Sequence, residues 1–559
     1  MLKQKLYGDM HCHSTLIPFN IKKDIWYHKP PSAKQRRKGR FLRDNVSRPY
    51  IQSDFVSLAK GKVTVVSVAL GPVEWSFLTL SCRSILDQNI FMAMVKILLF
   101  VLRDVIQFLT KYTFLGTLIS TYPPVRIREI LGPNRDYFQE LQNEYKMLKK
   151  SPLVCPHDIA ERHRIPLDTQ FEIVRNYSEI QKILNNPNKK NVIAVIPTIE
   201  GAHSLGCGQK NTLTDLSDKQ LNKLNNLETA ALKDKLIENI KKLKNWDHVP
   251  FFIGINHHFW NQLSGHSMSF ANITNFLFDQ TRGMNTGITE LGKVVIRDLL
   301  STEHGRRILI DTKHMSIKTK LWYYKRIEQC NENKPDNEKI PVIVSHTGVN
   351  GLKTMKLSQN SNDHKKEDLK YRLSDSIFNV WDINLTDEEI IIIHNSNGII
   401  GLELDQRLLG GQMVNDFLNK LPRQAKRNRK LLRKLWIKPL LNNILHIART
   451  IHDHTQGKLA QNKSIWDNII LGTDLDGRIN PIDPYCSGRD FPYIKRELIK
   501  RMKRKRDRGK NRLLVLKTDK EIEDIVDKIM FGNMKKFLEM YFDDMYLKKN
   551  LGVQSVFKK

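Results

Sequence analysis

Eight short apolar runs, most of them rich in β-branched residues, recur along the 559-residue chain with longer helix-like segments between them. Buried parallel strands have this continuous apolar character, and the helices that connect them cover the outer face of the sheet. The pattern therefore predicts an α/β protein with a closed (β/α)8 barrel, and two open α/β domains remain the alternative. The runs are Lys5–Met10, Val63–Leu70, Val192–Pro197, Phe251–Asn256, Ile308–Asp311, Val342–Ser345, Ile399–Leu404 and Ile469–Gly472.

The spacing between the runs is uneven, which indicates insertions. We predict one barrel over residues 1–559, with long and mostly helical insertions. They lie at about 19–50, 80–190, 410–457 and 478–517. Two helix starts are visible from capping-box spacing, at Thr386 with Glu389 and at Thr518 with Glu521.

Composition narrows the class of protein. The chain is 40% hydrophobic and 27% charged, which is typical of a soluble globular protein. Its six cysteines form no CxxC pair, which argues against a zinc ribbon or a disulfide scaffold and favours a reducing compartment.

The first residues do not have the pattern of a secretory signal, so we expect a cytoplasmic location. The apolar segment 91–120 is interrupted by charges at helical spacing and predicts an amphipathic helix, with peripheral membrane contact left open.

Lys and Arg number 91 against 59 Asp and Glu, giving a net charge of +32 and favouring anionic surroundings. Much of this charge lies in three clusters within the insertions, at 34–43, 423–434 and 495–512. The last cluster lacks the interleaved aromatic residues of single-strand nucleic-acid binders. We interpret it as a solvated face of an amphipathic helix, and binding of an anionic polymer or lipid surface is the alternative.

Metal-binding residue types stand at the carboxyl end of six of the predicted strands. In a parallel barrel these ends meet on one face, where active sites lie. Residues two apart in a strand point the same way, so His11 and His13 can bind one ion together. Mixtures of imidazole and carboxylate suit Zn²⁺ and similar ions, so the sequence predicts a metal centre. The residues are His11 and His13, Glu200, His257 and His258, His314, His346, and Asp474.

Several of these segments resemble the motifs of one family. The segment 195–204, VIPTIEGAHS, is similar to a glutamate motif I-E-G-G-H-S, and 309–316, LIDTKHMS, to D-x-x-H-x-S. The segment 341–347, PVIVSHT, resembles P-V-I-x-S-H-S, and 472–477, GTDLDG, resembles G-x-D-x-D-G. Phe531-Gly532-Asn533 stands where the family has G-G-N. Together they resemble the membrane dipeptidase branch (renal dipeptidase-like, peptidase family M19) of the metal-dependent amidohydrolase superfamily.

The resemblance implies a TIM-like barrel with two divalent metal ions, zinc being the expected metal. Carried over by position, His11 and His13 would bind one ion and His314 and His346 the other, with Glu200 bridging them.

The resemblance also implies catalytic roles. A water bridging the ions would attack the peptide carbonyl, and Asp474 would take its proton and pass it to the leaving amine. His258 resembles the histidine that steadies the carbonyl oxygen, and the adjacent His257 is the other candidate.

Two positions depart from the family. His13 stands where the dipeptidases usually have aspartate, although H-x-H is the commoner form in the wider superfamily. The arginine pair with which dipeptidases grip the substrate carboxylate is replaced by Ile377 and Phe378. Phe378 cannot pair with a carboxylate, so the sequence does not predict recognition of ordinary free dipeptides. Arg372 or a basic residue of an insertion is a candidate substitute.

We therefore predict a metal-dependent hydrolase that cleaves a peptide-like bond in a small peptide or amide substrate. The sequence leaves the oligomeric state open, and a homo-oligomer is one alternative. Hydrolysis of another amide, a lactone or a phosphoester at the same site is one alternative. A non-catalytic basic barrel that docks on nucleic acid or membrane is the other. Retention of all five candidate ligands and Asp474 favours the enzyme, because a docking module has no need of them.

Overall fold

A computed structural model of the chain shows one parallel sheet curved into a barrel. The structure describes residues 6–29, 51–78, 122–133, 135–209, 223, 227–270, 279–359, 378–411, 421–422, 424, 428–460, 463–482 and 484–557. Its strands are β1 (Tyr7–Cys12), β2 (Val63–Leu70), β3 (Gln170–Ile173), β4 (Val192–Ile199), β5 (Phe252–Gly254), β6 (Leu309–Asp311), β7 (Ile343–Thr347), β8 (Ile399–Leu402) and β9 (Ile469–Leu471).

Eight of these strands form the barrel wall, in the order β1-β2-β4-β5-β6-β7-β8-β9, and every neighbouring pair is parallel. The wall strands are buried along their whole length, which explains their continuous apolar sequences. β3 lies outside this path and pairs with the first half of β4.

The wall closes where the segment after β9 meets the end of β1. The His13 amide donates to the Leu475 carbonyl (2.9 Å), and the Asp474 amide donates to the His11 carbonyl (2.9 Å). The Asp9 carboxylate adds a side-chain tie, since it accepts from the Thr473 amide (2.9 Å) and hydroxyl (2.6 Å). The predicted (β/α)8 barrel is confirmed, with a nearly closed wall whose strand ends share one face.

Helices surround the wall and connect its strands. Both predicted capping boxes are present, at Thr386 with Glu389 and at Thr518 with Glu521. In the described part of the chain, no helix combines the length and the apolar character needed to cross a bilayer. The α-helices are Leu16–Asn20, Phe55–Lys60, Pro124–Leu131, Tyr137–Lys150, His157–His163, Tyr177–Asn185, Leu227–Lys244, Glu290–Leu300, Ile317–Asn331, Met355–Ser358, Asp387–Asn395, Arg429–Thr455, Phe491–Asp507, Asp519–Asp527, Asn533–Tyr541, Asp544–Lys548 and Val553–Phe557.

Of the two segments predicted to be amphipathic helices, 495–512 lies within the described residues and 91–120 does not. The basic cluster 495–512 lies largely on the helix Phe491–Asp507, which buries Ile494, Leu498 and Met502 on one face, as expected of an amphipathic helix. Lys503 on the other face pairs with Asp519 (2.9 Å) of the next helix. The predicted helix over 91–120 and the basic cluster 34–43 lie outside the described residues.

Candidate metal centre

The carboxylate of Glu200, just after β4, lies at the middle of the barrel's carboxyl-end face. Five imidazole rings from four other strand ends direct Nε2 toward it. Each of these residues was singled out in the sequence, and the barrel brings all of them together. The Nε2 to carboxylate distances are 3.6 Å for His11, 2.9 Å for His13, 3.3 Å for His257, 3.2 Å for His314 and 3.3 Å for His346.

Asp474 adds a second carboxylate to one side of this arrangement. Its Oδ1 is buried and lies 3.3 Å from His13 Nε2 and 3.7 Å from His11 Nε2. Among the groups of possible ligand atoms in the described residues, each with its atoms within 4.8 Å of one another, two share Glu200. The first contains His11, His13, Glu200 and Asp474, and the second contains Glu200, His314 and His346.

Ser345 on β7 orients two of the rings. Its hydroxyl donates to Asp311 Oδ2 (2.5 Å), so it is free to accept from His11 Nδ1 (3.2 Å) and His346 Nδ1 (2.8 Å). We infer that both neutral rings carry their proton on Nδ1, which leaves an Nε2 lone pair on each facing Glu200. Two lone pairs directed at a carboxylate repel it unless a cation lies between them. The arrangement therefore fits a metal ion.

The electrostatics of the metal-free centre agree with this fit. Burial lowers the pKa of His11 to about 3 and that of His314 to about 4, so both rings are neutral at pH 7. Burial also lowers the pKa of His346 well below its usual range. For Glu200, burial would raise the pKa, but the nearby His257 and other histidines outweigh it and hold the pKa well below its usual range. Neutral imidazoles around an ionised carboxylate are in the protonation state that binds a divalent cation.

Two other rings have a raised pKa in the metal-free protein. Burial would lower the pKa of His13, but Glu200 outweighs it and raises the pKa well above its usual range. For His257, Glu200 and Glu74 together outweigh burial and raise the pKa to about 10. An ion bound through His13 has to displace a proton, so its affinity must rise with pH.

His257 and His258 lie in different surroundings. His257 Nδ1 bonds Glu74 (2.7 Å), and this contact points its Nε2 at Glu200. The His258 ring stacks on Phe270 (4.8 Å between centroids), and its Nδ1 is buried without a partner. Of the two, only His257 has a ring nitrogen within 4.0 Å of a carboxylate in the described part of the chain.

The centre opens into a small cavity, whose polar lining comes from His13, Glu200, His257, His258 and Arg478. Phe378 does not line it, because its ring is buried in the main core against His446 (5.0 Å between centroids). Ile377 and Arg372 lie outside the described residues.

Sequence reasoning missed two residues near the centre. Glu74 follows the end of β2 by four residues, and this position on the same face as the other strand ends is the signal that could have identified it. Arg478 directly follows the motif that ends at Gly477, and its position beside Asp474 in the chain was a comparable signal.

No family model matches the chain, and no curated protein matches it. Among solved structures, it is similar to the probable dipeptidase PvdM from Pseudomonas aeruginosa (13% identity, TM-score 0.45, covering 99% of this chain and 96% of that chain). It is also similar to a metallopeptidase from Rhodobacter sphaeroides, solved with a phosphinate mimic of the dipeptide L-Ala-D-Ala (14% identity, TM-score 0.43, covering 96% of this chain and 100% of that chain). A third similar structure is a dipeptidase of metallopeptidase family M19 (12% identity, TM-score 0.45, covering 97% of this chain and 99% of that chain).

Proposed function

We propose that this protein is a metal-dependent hydrolase of peptide-like amide bonds, with a centre for two divalent ions, zinc being the expected metal. The observation that carries the proposal is the convergence of five imidazole nitrogens within 3.6 Å of the Glu200 carboxylate. Each ring nitrogen of a structural histidine is satisfied by a neighbour of its own, whereas all five of these rings direct Nε2 at one carboxylate. Such sharing is typical of metal ligands rather than of a docking surface.

The two clusters support one assignment of ligands. His11 and His13 would hold one ion and His314 and His346 the other, because Glu200 is the member that both clusters share. When bound, two divalent cations would supply the Lewis acidity that lowers the pKa of an attacking water and polarises the scissile carbonyl.

Asp474 is the proton carrier in this proposal. Its Oδ1 is buried and lies within 4.0 Å of both His11 Nε2 and His13 Nε2. A carboxylate in this position can take a proton from the attacking water. It can then deliver that proton to the amine nitrogen as the carbon–nitrogen bond breaks, so the same group serves as base and then as acid.

His257 is the group that we assign to the carbonyl oxygen, in place of the predicted His258. Glu74 accepts from His257 Nδ1 (2.7 Å), so the ring is oriented with Nε2 toward the centre. A nitrogen held in this way can donate to an oxygen as it gains negative charge, without reorganisation during the reaction. Among the described residues, His258 Nδ1 has no hydrogen-bond partner that would orient the ring in this way, and its role in catalysis stays a prediction.

Elemental analysis of protein purified without chelator tests the centre. We expect about two zinc ions or other divalent ions per chain in the wild type, as in two-metal hydrolases. Glu200→Gln should lose most of the bound metal and lower hydrolysis of a dipeptide panel by more than about 100-fold, because a shared ligand is removed. Glu497→Gln, which changes a buried glutamate in the helix Phe491–Asp507, is the matched control and should keep both. Metal content near zero in reconstituted wild type would refute the proposal.

A further inference from the structure

The loop 508–518, which follows the helix Phe491–Asp507, exposes two adjacent aliphatic side chains. Val515 is 45% exposed and Leu516 is 91% exposed, the highest value among the large hydrophobic residues in the described part of the chain. Single exposed apolar residues are ordinary, but an adjacent pair on a loop forfeits the free energy that burial of both would give. Such a pair is a feature of surfaces that contact a partner or a membrane.

The exposure is a property of the folded loop. Leu513 and Leu514, directly before the exposed pair, are buried and anchor the loop to the core. Asn511 closes a tight turn, since its side chain accepts from the Leu513 amide (3.0 Å) and its carbonyl accepts from the amides of Leu514 (3.0 Å) and Val515 (3.1 Å). The two outer side chains are therefore held in solvent by hydrogen bonds and by the burial of their neighbours.

The exposed pair lies within a strongly basic segment. Residues 503–517 contain eight Lys and Arg against one Asp. Burial, together with the like charges of Arg449, Lys438 and Lys510, lowers the pKa of Lys505, so these cations repel one another. Repulsion of this kind is relieved when an anion binds. Within the described residues, the cations of this segment that have no carboxylate oxygen within 4.0 Å are Arg504, Lys505, Arg508 and Lys510.

A cavity beside the loop has a basic wall. Its two carboxylates are already paired, Asp387 with His446 (2.6 Å) and Asp453 with Arg512. The remaining Lys and Arg side chains of the wall are available to an anionic group such as a phosphate. The Lys and Arg residues that line the cavity are Lys353, Arg449, Lys510 and Arg512.

We propose that the loop 508–518 binds the surface of a membrane that contains anionic lipids. Val515 and Leu516 would enter the boundary between headgroups and acyl chains, and the surrounding cations would contact the charged headgroups. A nucleic acid could use the cations, but it offers no apolar layer to the aliphatic pair. The exposed aromatic residue of the preceding helix, Tyr493, already stacks with Arg433 (3.9 Å), so it does not provide a free platform for bases.

Co-sedimentation with lipid vesicles tests the proposal on the full-length protein. Vesicles of phosphatidylcholine alone are compared with vesicles of equal parts phosphatidylcholine and phosphatidylserine, and we expect wild type to bind the anionic vesicles at least about 10-fold more tightly. The double variant Val515→Asn with Leu516→Asn should bind them about 10- to 100-fold more weakly, because it loses the apolar contact. Arg508→Gln with Lys510→Gln should weaken binding by about 10-fold or more.

Two control variants match these changes elsewhere on the surface. Met545→Asn alters another exposed apolar residue, 83% exposed on the helix Asp544–Lys548. Lys318→Gln with Lys325→Gln removes two exposed charges from the helix Ile317–Asn331, so it lowers the net charge by the same amount as the double variant in the loop. Both controls should keep wild-type affinity for the anionic vesicles, and urea unfolding shows whether each variant is folded.

Several results would overturn the proposal. Wild type that binds neither kind of vesicle, or binds both equally, has no anionic-membrane surface. Unchanged vesicle affinity in Val515→Asn with Leu516→Asn would remove the role of the aliphatic pair. If Arg508→Gln with Lys510→Gln then weakens binding of a single-stranded DNA oligonucleotide, the surface is a nucleic-acid site instead. Because no substrate is used, the outcome is independent of the proposed hydrolase function.

Discussion

Replacing Gly477 by alanine should disable the metal centre while leaving the barrel folded. A Cβ at this position would lie 2.0 Å from Asp474 Oδ1 and 2.8 Å from His13 Cδ2. These two side chains belong to the same cluster of ligand atoms. Glycine is therefore the residue that allows Asp474 and His13 to approach each other from the ends of β9 and β1.

The size of the effect follows from these contacts. The 2.0 Å separation is about 1.4 Å short of the 3.4 Å at which ordinary contact begins, so Asp474, His13 or the loop has to move by about that much. Overpacking by one methyl group costs about 1–3 kcal/mol, which a chain with a large core tolerates. A displacement of about 1 Å in a catalytic group can cost about 100-fold in rate. We expect a loss of at least that order in turnover and a clear loss of bound metal, with little change in unfolding.

The assay compares metal per chain, affinity for Zn²⁺ in competition with a chelator, and urea unfolding. Gly287→Ala is the control, because the nearest atom to a Cβ at Gly287 is Lys318 Cβ at 4.0 Å. Wild-type zinc affinity and turnover in Gly477→Ala would refute the reasoning, since the ligands would then not be held in the geometry described above.

Two further predictions concern groups around the centre. Ser345→Ala removes the hydroxyl that accepts from both His11 and His346, and we expect zinc affinity to fall by about 10- to 100-fold. Ser396→Ala is its control, because the Ser396 hydroxyl accepts from the Val342 amide and donates to the Ile393 carbonyl, and equal affinity in the two variants would contradict the orienting role. Burial raises the pKa of Glu144 from 4.5 to about 7, so this group adds stability that is complete below pH 4.5 and is lost as the pH rises through about 7. In urea unfolding, the free energy of unfolding of Glu144→Gln relative to that of wild type should therefore rise by roughly 2 kcal/mol between pH 5 and pH 8. If the two proteins instead show parallel pH profiles, Glu144 does not have the raised pKa.

The barrel could be predicted because its signal is local. Each wall strand is buried on both faces, so each appears in the sequence as an apolar run, and β2 has the predicted bounds Val63–Leu70. The observed strand bounds differ from the predicted ones where a strand continues into polar residues or where only a few residues form hydrogen bonds with the neighbouring strand. β1 extends through His11 to Cys12 because hydrogen bonds continue past the apolar run, whereas β5 is only Phe252–Gly254. The strand β3, Gln170–Ile173, was not predicted from the sequence, because it is short and three of its four residues are only partly buried.

The candidate ligands could also be predicted, because a barrel forces strand ends to one face whatever the lengths of the insertions. The orienting contacts could not. Glu74 reaches His257 across 183 residues, and Ser345 reaches His11 across 334. Nothing in the local sequence of a serine or a glutamate indicates which distant ring it will contact.

The loop after β9, which carries Asp474, has an unusual backbone that contacts with the rest of the fold brace. Asp474, Asp476 and Arg478 all have left-handed backbone, with φ of 56°, 68° and 64°, which is costly for residues other than glycine. The Asp476 carboxylate holds this shape by accepting from the Ser53 amide (2.8 Å) and hydroxyl (2.8 Å) and from the Gln52 amide (2.9 Å). Because this braced loop carries Asp474, the proposed proton carrier is held in a fixed relation to His13 and Glu200 of the same cluster.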